Sequence, residues 1–210
     1  MNLDMAELTP RQRYELLTSL VVPRPIAWVS TRSAAGQPNL APFSYFSALA
    51  ATPFLVGVSI GHRRGEPKDS LRNILETHGF CVNVASESQI AAMNHTAGEY
   101  APEIDEFAHA GVPLAWAESV DAPYVANAPA VLECRLFKTV ELEGAPNTLV
   151  IGQVMRVRIA QGVPLVGETM FVDTAALAPV ARLWGDLYAL IGETPSAPRP
   201  PADAPPLSAE

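Results

Sequence analysis

The chain has 210 residues, 49% of them apolar, so one domain with a sizeable buried core fits its length. Its net charge of −8 at pH 7 argues against a general nucleic-acid binder, which needs a basic surface. No apolar run approaches the roughly 20 residues needed to span a bilayer, and the acidic, amphipathic start has no signal-peptide pattern, so we expect a cytoplasmic protein without a membrane segment.

The first predicted helix begins at a capping box in which Thr9 and Gln12 bond reciprocally and Pro10 occupies the first turn. Residues 26–31 (IAWVST) then read as a strand, because apolar, β-branched and aromatic side chains dominate them. Within this strand, Trp28 either flanks a flat ligand ring or belongs to the core.

Residues 39–50 are expected to be extended but irregular, since Pro42 cannot donate to a central ladder. Aromatic and small polar side chains alternate over residues 39–46 (NLAPFSYF), a pattern that can lay amides and a hydroxyl along the edge of a flat ring. The alternative is an edge strand with core aromatics. Residues 54–60 form a second apolar strand.

A basic loop over residues 61–68 leads into a predicted helix over residues 69–76, which Gly79 is expected to close. The positive side chains of the loop are Arg63, Arg64 and Lys68. A helix start presents unpaired N–H groups and the positive end of the dipole, and Ser70 adds a hydroxyl donor there. The segment therefore suggests a phosphate site. The alternative is a solvated loop in which Asp69 or Ser70 only caps the helix.

The other predicted elements are a strand over residues 80–85, a short helix capped by Ser86 and Gln89, a hairpin of residues 131–142 and 148–159, a connector over 173–179 and a closing segment over 181–190. The two cysteines, Cys81 and Cys134, lie in strand-like apolar runs, which suggests reduced core thiols. A domain over residues 1–191 is followed by a proline-rich tail, 192–210, that we expect to be disordered or extended.

Strands outnumber helices without the alternation of a doubly wound sheet, so the chain is expected to be mainly β, an antiparallel barrel with peripheral helices. It has no GxGxxG or Walker motif, no HExxH metal motif and no legible catalytic triad. The paired carboxylates Asp105 and Glu106 are expected to face water, which leaves no protein acid or base in evidence. Arg182, near Tyr188, either closes a pocket or serves an interface or a salt bridge.

Several blocks, in this order and spacing, resemble the flavin reductase-like, FMN-binding split-barrel family. They are PRPIAWVST (23–31), NLAPFSYF (39–46), the strand ending in SIG, KDSLRNI (68–74) and FCVNV, and later AMNHTA, the Asp105-Glu106-Phe107 stretch, APAVLECRL, NTLVIGQV and ARLWGDLYA. The resemblance covers roughly residues 8–190. Each block is weak by itself, and together they are specific for the family but not for one activity.

The resemblance implies an antiparallel, six-stranded Greek-key split barrel that forms a homodimer with FMN near the subunit interface. A covered interface agrees with the charged content of only 17%. The cofactor-binding residues implied are Trp28, Ser30, Thr31, Ala41, Pro42, Phe43, Ser44, Tyr45, Phe46, Ser59, Ile60, Gly61, Arg63, Lys68, Asp69, Ser70, Arg182 and Tyr188. Lys68 and Ser70 would hold the phosphate with help from Arg63, residues 41–46 would border the isoalloxazine, and Arg182 and Tyr188 would approach from the partner subunit.

The family also implies an activity, that of an NAD(P)H:flavin oxidoreductase. NAD(P)H would dock transiently, deliver hydride to the flavin and leave, before a second acceptor uses the same face. The role implied is that of a reductase partner of a monooxygenase, with no protein acid or base required. Two alternatives stay open: an electron-transfer flavoprotein resembling flavoredoxin, without NAD(P)H activity, and a split barrel that binds another cofactor such as haem or is only a structural dimer.

Overall fold

The computed structural model describes residues 2–202, which build one large antiparallel sheet, two small sheets and short surrounding helices. The strands, in chain order, are Arg24–Pro25 (β1), Ala27–Arg32 (β2), Pro38–Phe43 (β3), Phe46–Ala51 (β4), Phe54–Arg63 (β5), Glu66–Pro67 (β6), Gly79–Val84 (β7), Leu114–Trp116 (β8), Pro123–Val125 (β9), Ala130–Glu141 (β10), Asn147–Ile159 (β11), Ala181–Arg182 (β12) and Tyr188–Ala189 (β13). The α-helices are Pro10–Leu20 (α1), Asp69–Thr77 (α2), Ile90–His95 (α3), Glu106–His109 (α4) and Thr174–Leu177 (α5), and 3-10 turns cover Met5–Glu7 and Glu87–Gln89.

The large sheet has the strand order β3-β2-β7-β10-β11-β5-β4, with β6 added beside β5, and every pairing in it is antiparallel. The expected mainly-β fold with peripheral helices is thereby confirmed. The path holds seven strands where six were expected, because residues 38–51 form two strands separated at Ser44 and Tyr45. β3, at one end of the path, also packs near β5, so the sheet curls back on itself.

The sheet is buried on both faces at its centre. In β2, Trp28 packs into one apolar cluster with Phe107, while the next residue, Val29, packs into a second cluster with Phe80. All four of these side chains are at most 2% exposed. Successive side chains of a strand point to opposite faces of the sheet. A strand that lies between two apolar clusters therefore needs apolar residues at consecutive positions.

Local signals placed most helix starts correctly. The capping box of α1 is present, with Gln12 N–H donating to Thr9 Oγ1 at 3.3 Å and Thr9 N–H donating to Gln12 Oε1 at 2.9 Å. The end of α2 differs from expectation: His78, at φ 59°, takes the left-handed position, and Gly79 begins β7. Gly79 is needed there for space, since a Cβ at that residue would lie 3.3 Å from the backbone nitrogen of Asp121.

Both cysteines are free and fully buried, on neighbouring strands β7 and β10, which confirms the expected core thiols. Burial raises the pKa of each thiol. Within the described part of the chain, no helix combines the length and apolar character that crossing a bilayer requires. Residues 192–202 form neither helix nor strand, and the rest of the expected tail, residues 203–210, lies outside the described residues.

Candidate functional site

A pocket of about 390 Å³ opens between β3, the start of α2 and the segment that follows α3. Ligand pockets usually have volumes of roughly 300–1,000 Å³, so this one has the size of a small-molecule site. We call it the β3–α2 pocket, and we call residues 96–102, which form one of its walls, the flap. Its wall includes Ala41, Pro42, Phe43, Arg63, Lys68, Asp69 and Ser70, seven of the residues predicted to bind a cofactor.

The start of α2 is open toward the pocket. Lys68 is the N-cap residue, and its side chain makes no capping hydrogen bond. Asp69 forms an ion pair with Arg72 instead of capping the helix. Ser70 does not cap it either: its hydroxyl, 1% exposed, accepts a hydrogen bond from Asn39 Nδ2 at 2.9 Å and keeps its proton to donate. No side chain of the described residues is thus recorded as capping the first turn, so the capping role considered from the sequence is not observed, and the N–H groups of a helix start without a cap can bind an anion.

Two basic side chains of the pocket wall, Lys68 and Arg63, differ in the contacts they make. Lys68 is exposed, has no ion-pair partner among residues 2–202, and places its Nζ 5.7 Å from the centre of the Phe43 ring. Arg63 forms an ion pair with Glu99 at 3.0 Å and donates to the carbonyl of Tyr100 at 3.4 Å. Lys68 is therefore available to a ligand, while Arg63 holds the flap.

The structure divides the segment predicted to border the isoalloxazine, residues 41–46, which we call the ring bed. Ala41, Pro42 and Phe43, on β3, lie on the pocket wall. The next three residues leave it: Ser44 Oγ lies 3.5 Å from Arg24 Nε, Tyr45 accepts a backbone hydrogen bond from Ser59 at 2.8 Å, and Phe46 begins β4 opposite Val58. The bed within one chain is thus shorter than the sequence block.

The predicted β2 residues lie behind the pocket, in the core. Trp28, Ser30 and Thr31 are each 0% exposed. Trp28 Nε1 donates to Thr96 Oγ1 at 2.9 Å, so it supports the base of the flap. Ser30 donates to the carbonyl of Pro123 at 2.6 Å, and Thr31 accepts from Asn73 Nδ2 at 3.0 Å. Their polar groups are satisfied by protein, as buried polar groups generally are.

The remaining predicted residues also lie away from the pocket wall. Ser59, Ile60 and Gly61 belong to β5, where they pair with β11. The guanidinium of Arg182 stacks 4.6 Å from the centre of the Tyr188 ring and donates to the carbonyl of Gly185. The Tyr188 hydroxyl donates to Asn94 Oδ1 at 3.0 Å, beside the flap. Within one chain, Arg182 and Tyr188 therefore contact each other and not the β3–α2 pocket.

Glu106 lines the pocket, and the expectation that it faces water is wrong. The side chain is 8% exposed, and its Oε2 accepts a hydrogen bond from Leu40 N–H at 3.1 Å. The pKa of Glu106 is raised to about 7, mainly by burial and to a smaller extent by the charges of Asp69 and Asp105, while hydrogen bonds from backbone N–H groups act against the rise. The reason is local: Asp105 Oδ1 caps α4 by accepting from Phe107 N–H at 2.9 Å, and this turns the next side chain inward.

The flap itself was missed, because no local pattern marks it. Tyr100 donates its hydroxyl to the carbonyl of His95 at 2.9 Å, and its ring meets that of His109 edge-on at 4.7 Å between centres. The close approach of the Tyr100 ring requires Gly98, since a Cβ there would lie 2.5 Å from Tyr100 Cζ. A glycine three residues beyond α3 was the available signal, but its partner could not be read from the sequence.

A scan against protein-family models matches residues 19–170 to the flavin reductase like domain. Among curated proteins, an uncharacterized protein of Halalkalibacterium halodurans is 37% identical over 205 residues, which cover 95% of this chain and 97% of that protein. The similarity therefore extends over nearly the whole chain and includes every wall of the pocket.

Solved structures show a similarity that likewise extends over nearly the whole chain. Nitrilotriacetate monooxygenase component B from Bacillus cereus has a TM-score of 0.89 and 34% identity, covering 94% of this chain and 98% of that chain. The 2-nitrobenzoate 2-nitroreductase NbaA from Pseudomonas fluorescens has a TM-score of 0.87 and 28% identity, covering 98% of both chains. Both neighbours share the fold from end to end.

Proposed function

The chain belongs to the flavin reductase-like domain family, and from that premise we propose that it binds FMN in the β3–α2 pocket and reduces it with NAD(P)H. The observation that carries the proposal is the uncapped start of α2, with Lys68 unpaired among the described residues and the Ser70 hydroxyl beside it. This is an anion site next to an apolar wall, and FMN is a ligand with one anionic end and one flat apolar end.

The residues of the pocket fit FMN at both ends. At the anionic end, Lys68 supplies a positive charge, while α2 supplies N–H groups and the positive end of its dipole. At the other end, Ala41, Pro42 and Phe43 offer an apolar strand edge. When bound, FMN supplies the redox chemistry. The chain's own residues bind the phosphate, orient the ring against β3 and hold the flap in place through the Arg63–Glu99 ion pair.

We also propose that the protein is a homodimer, because one chain leaves large apolar side chains in water and a short ring bed. Phe137 on β10 is 53% exposed, and Phe171 is 74% exposed. We expect sedimentation equilibrium to give twice the mass of one chain, 22.4 kDa. A monomeric mass at micromolar concentration would contradict this.

We also propose that the protein is cytoplasmic, because that compartment keeps thiols such as Cys81 and Cys134 reduced.

The electron acceptor is proposed from the neighbours. Since the Bacillus cereus neighbour is a component of a monooxygenase, we propose that this chain supplies reduced flavin to a monooxygenase. The Pseudomonas fluorescens neighbour is a nitroreductase, so a nitroaromatic acceptor is the second candidate. Steady-state rates measured with free FMN, with 2-nitrobenzoate and with oxygen as the electron acceptor decide between these two candidates.

The purified protein tests the central proposal directly. We expect oxidised-flavin absorption on isolation or after titration with FMN, and bleaching of that absorption by NADH or NADPH under anaerobic conditions. Flavin that dithionite reduces but neither nicotinamide bleaches indicates an electron carrier of the flavoredoxin kind. A protein that takes up no FMN, or that shows haem absorption, overturns the proposal.

A point substitution tests the anion site. We expect Lys68→Ala to weaken FMN binding by roughly 10- to 150-fold, about 1.5–3 kcal/mol, because a charge-assisted phosphate contact is lost. The matched control is Arg64→Asn in the same loop, since Arg64 lies off the pocket wall at φ 53° and asparagine tolerates that conformation. Fluorescence quenching of FMN measures both affinities. Equal affinity of the Lys68 variant and the wild type would remove the anion site from the proposal.

A further inference from the structure

The wall of the β3–α2 pocket carries more negative than positive side chains, which is unexpected in a site for an anion. Its carboxylates are Glu66, Asp69, Glu99 and Glu106, and its cations are Arg63, Lys68 and Arg72. Two of the cations are already engaged, Arg63 with Glu99 and Arg72 with Asp69. Lys68 therefore faces two carboxylates that have no ion pair among the described residues, Glu66 and Glu106.

These two carboxylates differ in their surroundings. Glu66 is exposed, so water screens its charge. Glu106 is 8% exposed, and within residues 2–202 its carboxyl receives a single hydrogen bond from another residue, the N–H of Leu40. No cation contacts it in that part of the chain. A buried carboxylate without a cation is costly, and a ligand phosphate entering the same pocket would add further negative charge.

We propose that Glu106 takes up a proton from solvent when a phosphate-bearing ligand enters the β3–α2 pocket, so that FMN binding is coupled to protonation of this carboxyl. The inference rests on the proposed function for the identity of the ligand. The protonated carboxyl keeps Oε2 as the acceptor for Leu40 and gains an O–H group that can donate to a ligand oxygen. Glu106 thus becomes neutral when the anion is present.

The two charged neighbours that shift the pKa of Glu106, Asp69 and Asp105, act in the same direction. β3, which packs against α4, has no ionisable side chain. From α2, Asp69 raises the pKa of Glu106 and is itself paired with Arg72. Asp105, the preceding residue, also raises it. Across the pocket stand the pair Arg63–Glu99, Tyr100, Glu66 and the cation Lys68, while His95 and His109 stack together behind the flap. The N–H of Leu40, which donates to the carboxylate, acts the other way and lowers the pKa of Glu106.

The sign of the pH dependence follows from this coupling. Free protein loses the Glu106 proton as pH rises through about 7, whereas the loaded protein keeps it to higher pH. FMN affinity should therefore fall as pH rises, by about tenfold between pH 6.5 and 8.5 if the ligand raises the pKa by one to two units. The phosphate of FMN has its own pKa near 6, and its ionisation strengthens binding as pH rises, which is the opposite trend.

Calorimetry of FMN binding at pH 7.5, in buffers of different ionisation enthalpy, counts the protons taken up. We expect about 0.5–0.7 proton per FMN for the wild type, because about a quarter of the free protein already carries the proton at this pH. Glu106→Gln should take up none and should bind FMN with an affinity that does not fall above pH 7, because glutamine keeps the acceptor for Leu40 and remains neutral. The matched control Glu66→Gln removes a charge from the same wall and should keep the proton uptake.

The outcomes separate the inference from the proposed function. If FMN does not bind the wild type at any pH, the proposed function fails. If FMN binds the wild type without proton uptake, or if uptake persists in Glu106→Gln, the inference is overturned while the function stands. Loss of uptake in Glu66→Gln would assign the proton to Glu66 and would equally overturn it.

Discussion

Replacing Glu133 by alanine is expected to lower the free energy of unfolding by about 3–5 kcal/mol, the usual cost of breaking a buried ion pair. Glu133 is 0% exposed on β10. Its Oε1 accepts from Arg158 Nε at 2.7 Å, and its Oε2 accepts from the backbone and hydroxyl of Ser119 at 2.7 and 2.6 Å and from Glu118 N–H at 3.1 Å. The substitution leaves all of these donors without their acceptor.

The directions of the pKa shifts of Glu133 and Arg158 agree with a strong interaction between the two side chains. Burial raises the pKa of Glu133, but the hydrogen bonds from Ser119 and Arg158 outweigh that effect and lower it. The hydrogen bond to Glu133 is in turn the largest cause that raises the pKa of Arg158. Glu133 is therefore ionised at neutral pH, and it joins the β10–β11 hairpin to the segment between β8 and β9.

Urea denaturation of the Glu133→Ala variant measures the loss. Arg156→Gln serves as a control in the same region, because among residues 2–202 Arg156 forms a single ion pair, with Glu118 at 3.3 Å, and both side chains are about half exposed. Exposed pairs contribute about 0–1 kcal/mol. Similar losses in the two variants would show that burial of Glu133 does not decide its contribution.

The second large effect concerns the ligand-free protein and is pH-dependent. At pH 8, Glu106→Gln is expected to increase the free energy of unfolding by about 3 kcal/mol, since each unit of pKa shift is worth about 1.36 kcal/mol. In the folded state Glu106 has a pKa of about 7, against 4.5 as the ordinary value. A raised pKa favours folding below the ordinary value, and that contribution is lost as pH rises from about 4.5 to 7.

The comparison of variant and wild type at pH 4, 6 and 8 isolates Glu106 from all other carboxyls. The difference in unfolding free energy should be near zero at pH 4, intermediate at pH 6 and largest at pH 8. Other groups with shifted pKa values, such as Glu133, contribute equally to both proteins and cancel. A difference that is the same at all three pH values would reflect packing and not titration.

Sequence reasoning succeeded where the information is local. Thr9 and Gln12 lie three residues apart and form their capping box within one turn. The helix start at Lys68 and Ser70 was located in the same way, because a basic loop followed by a helix is a local pattern, and its binding of an anion stays a prediction. The strand pattern fixed the fold class, since strand alternation and turn residues are also local signals.

It failed where a residue's role depends on distant partners. The family resemblance implies that Ser30 and Thr31 bind the cofactor, whereas in the structure Asn83 and Asn73 form hydrogen bonds to them in the core. Glu106 follows an aspartate and reads as solvated, yet the capping bond of Asp105 and the backbone of Leu40 draw it into the pocket. Such pairings join residues 40 or more positions apart in most of these cases, and no periodicity reveals them.

The two buried thiols bear on how the protein withstands oxidants. Oxidants attack the thiolate form of cysteine. Cys81 and Cys134 lie out of contact with water, and burial raises the pKa of both, so at neutral pH almost none of either exists as thiolate. β7 and β10 are thereby shielded from sulfenic acid formation, whereas Met170, 84% exposed, is open to oxidation to the sulfoxide.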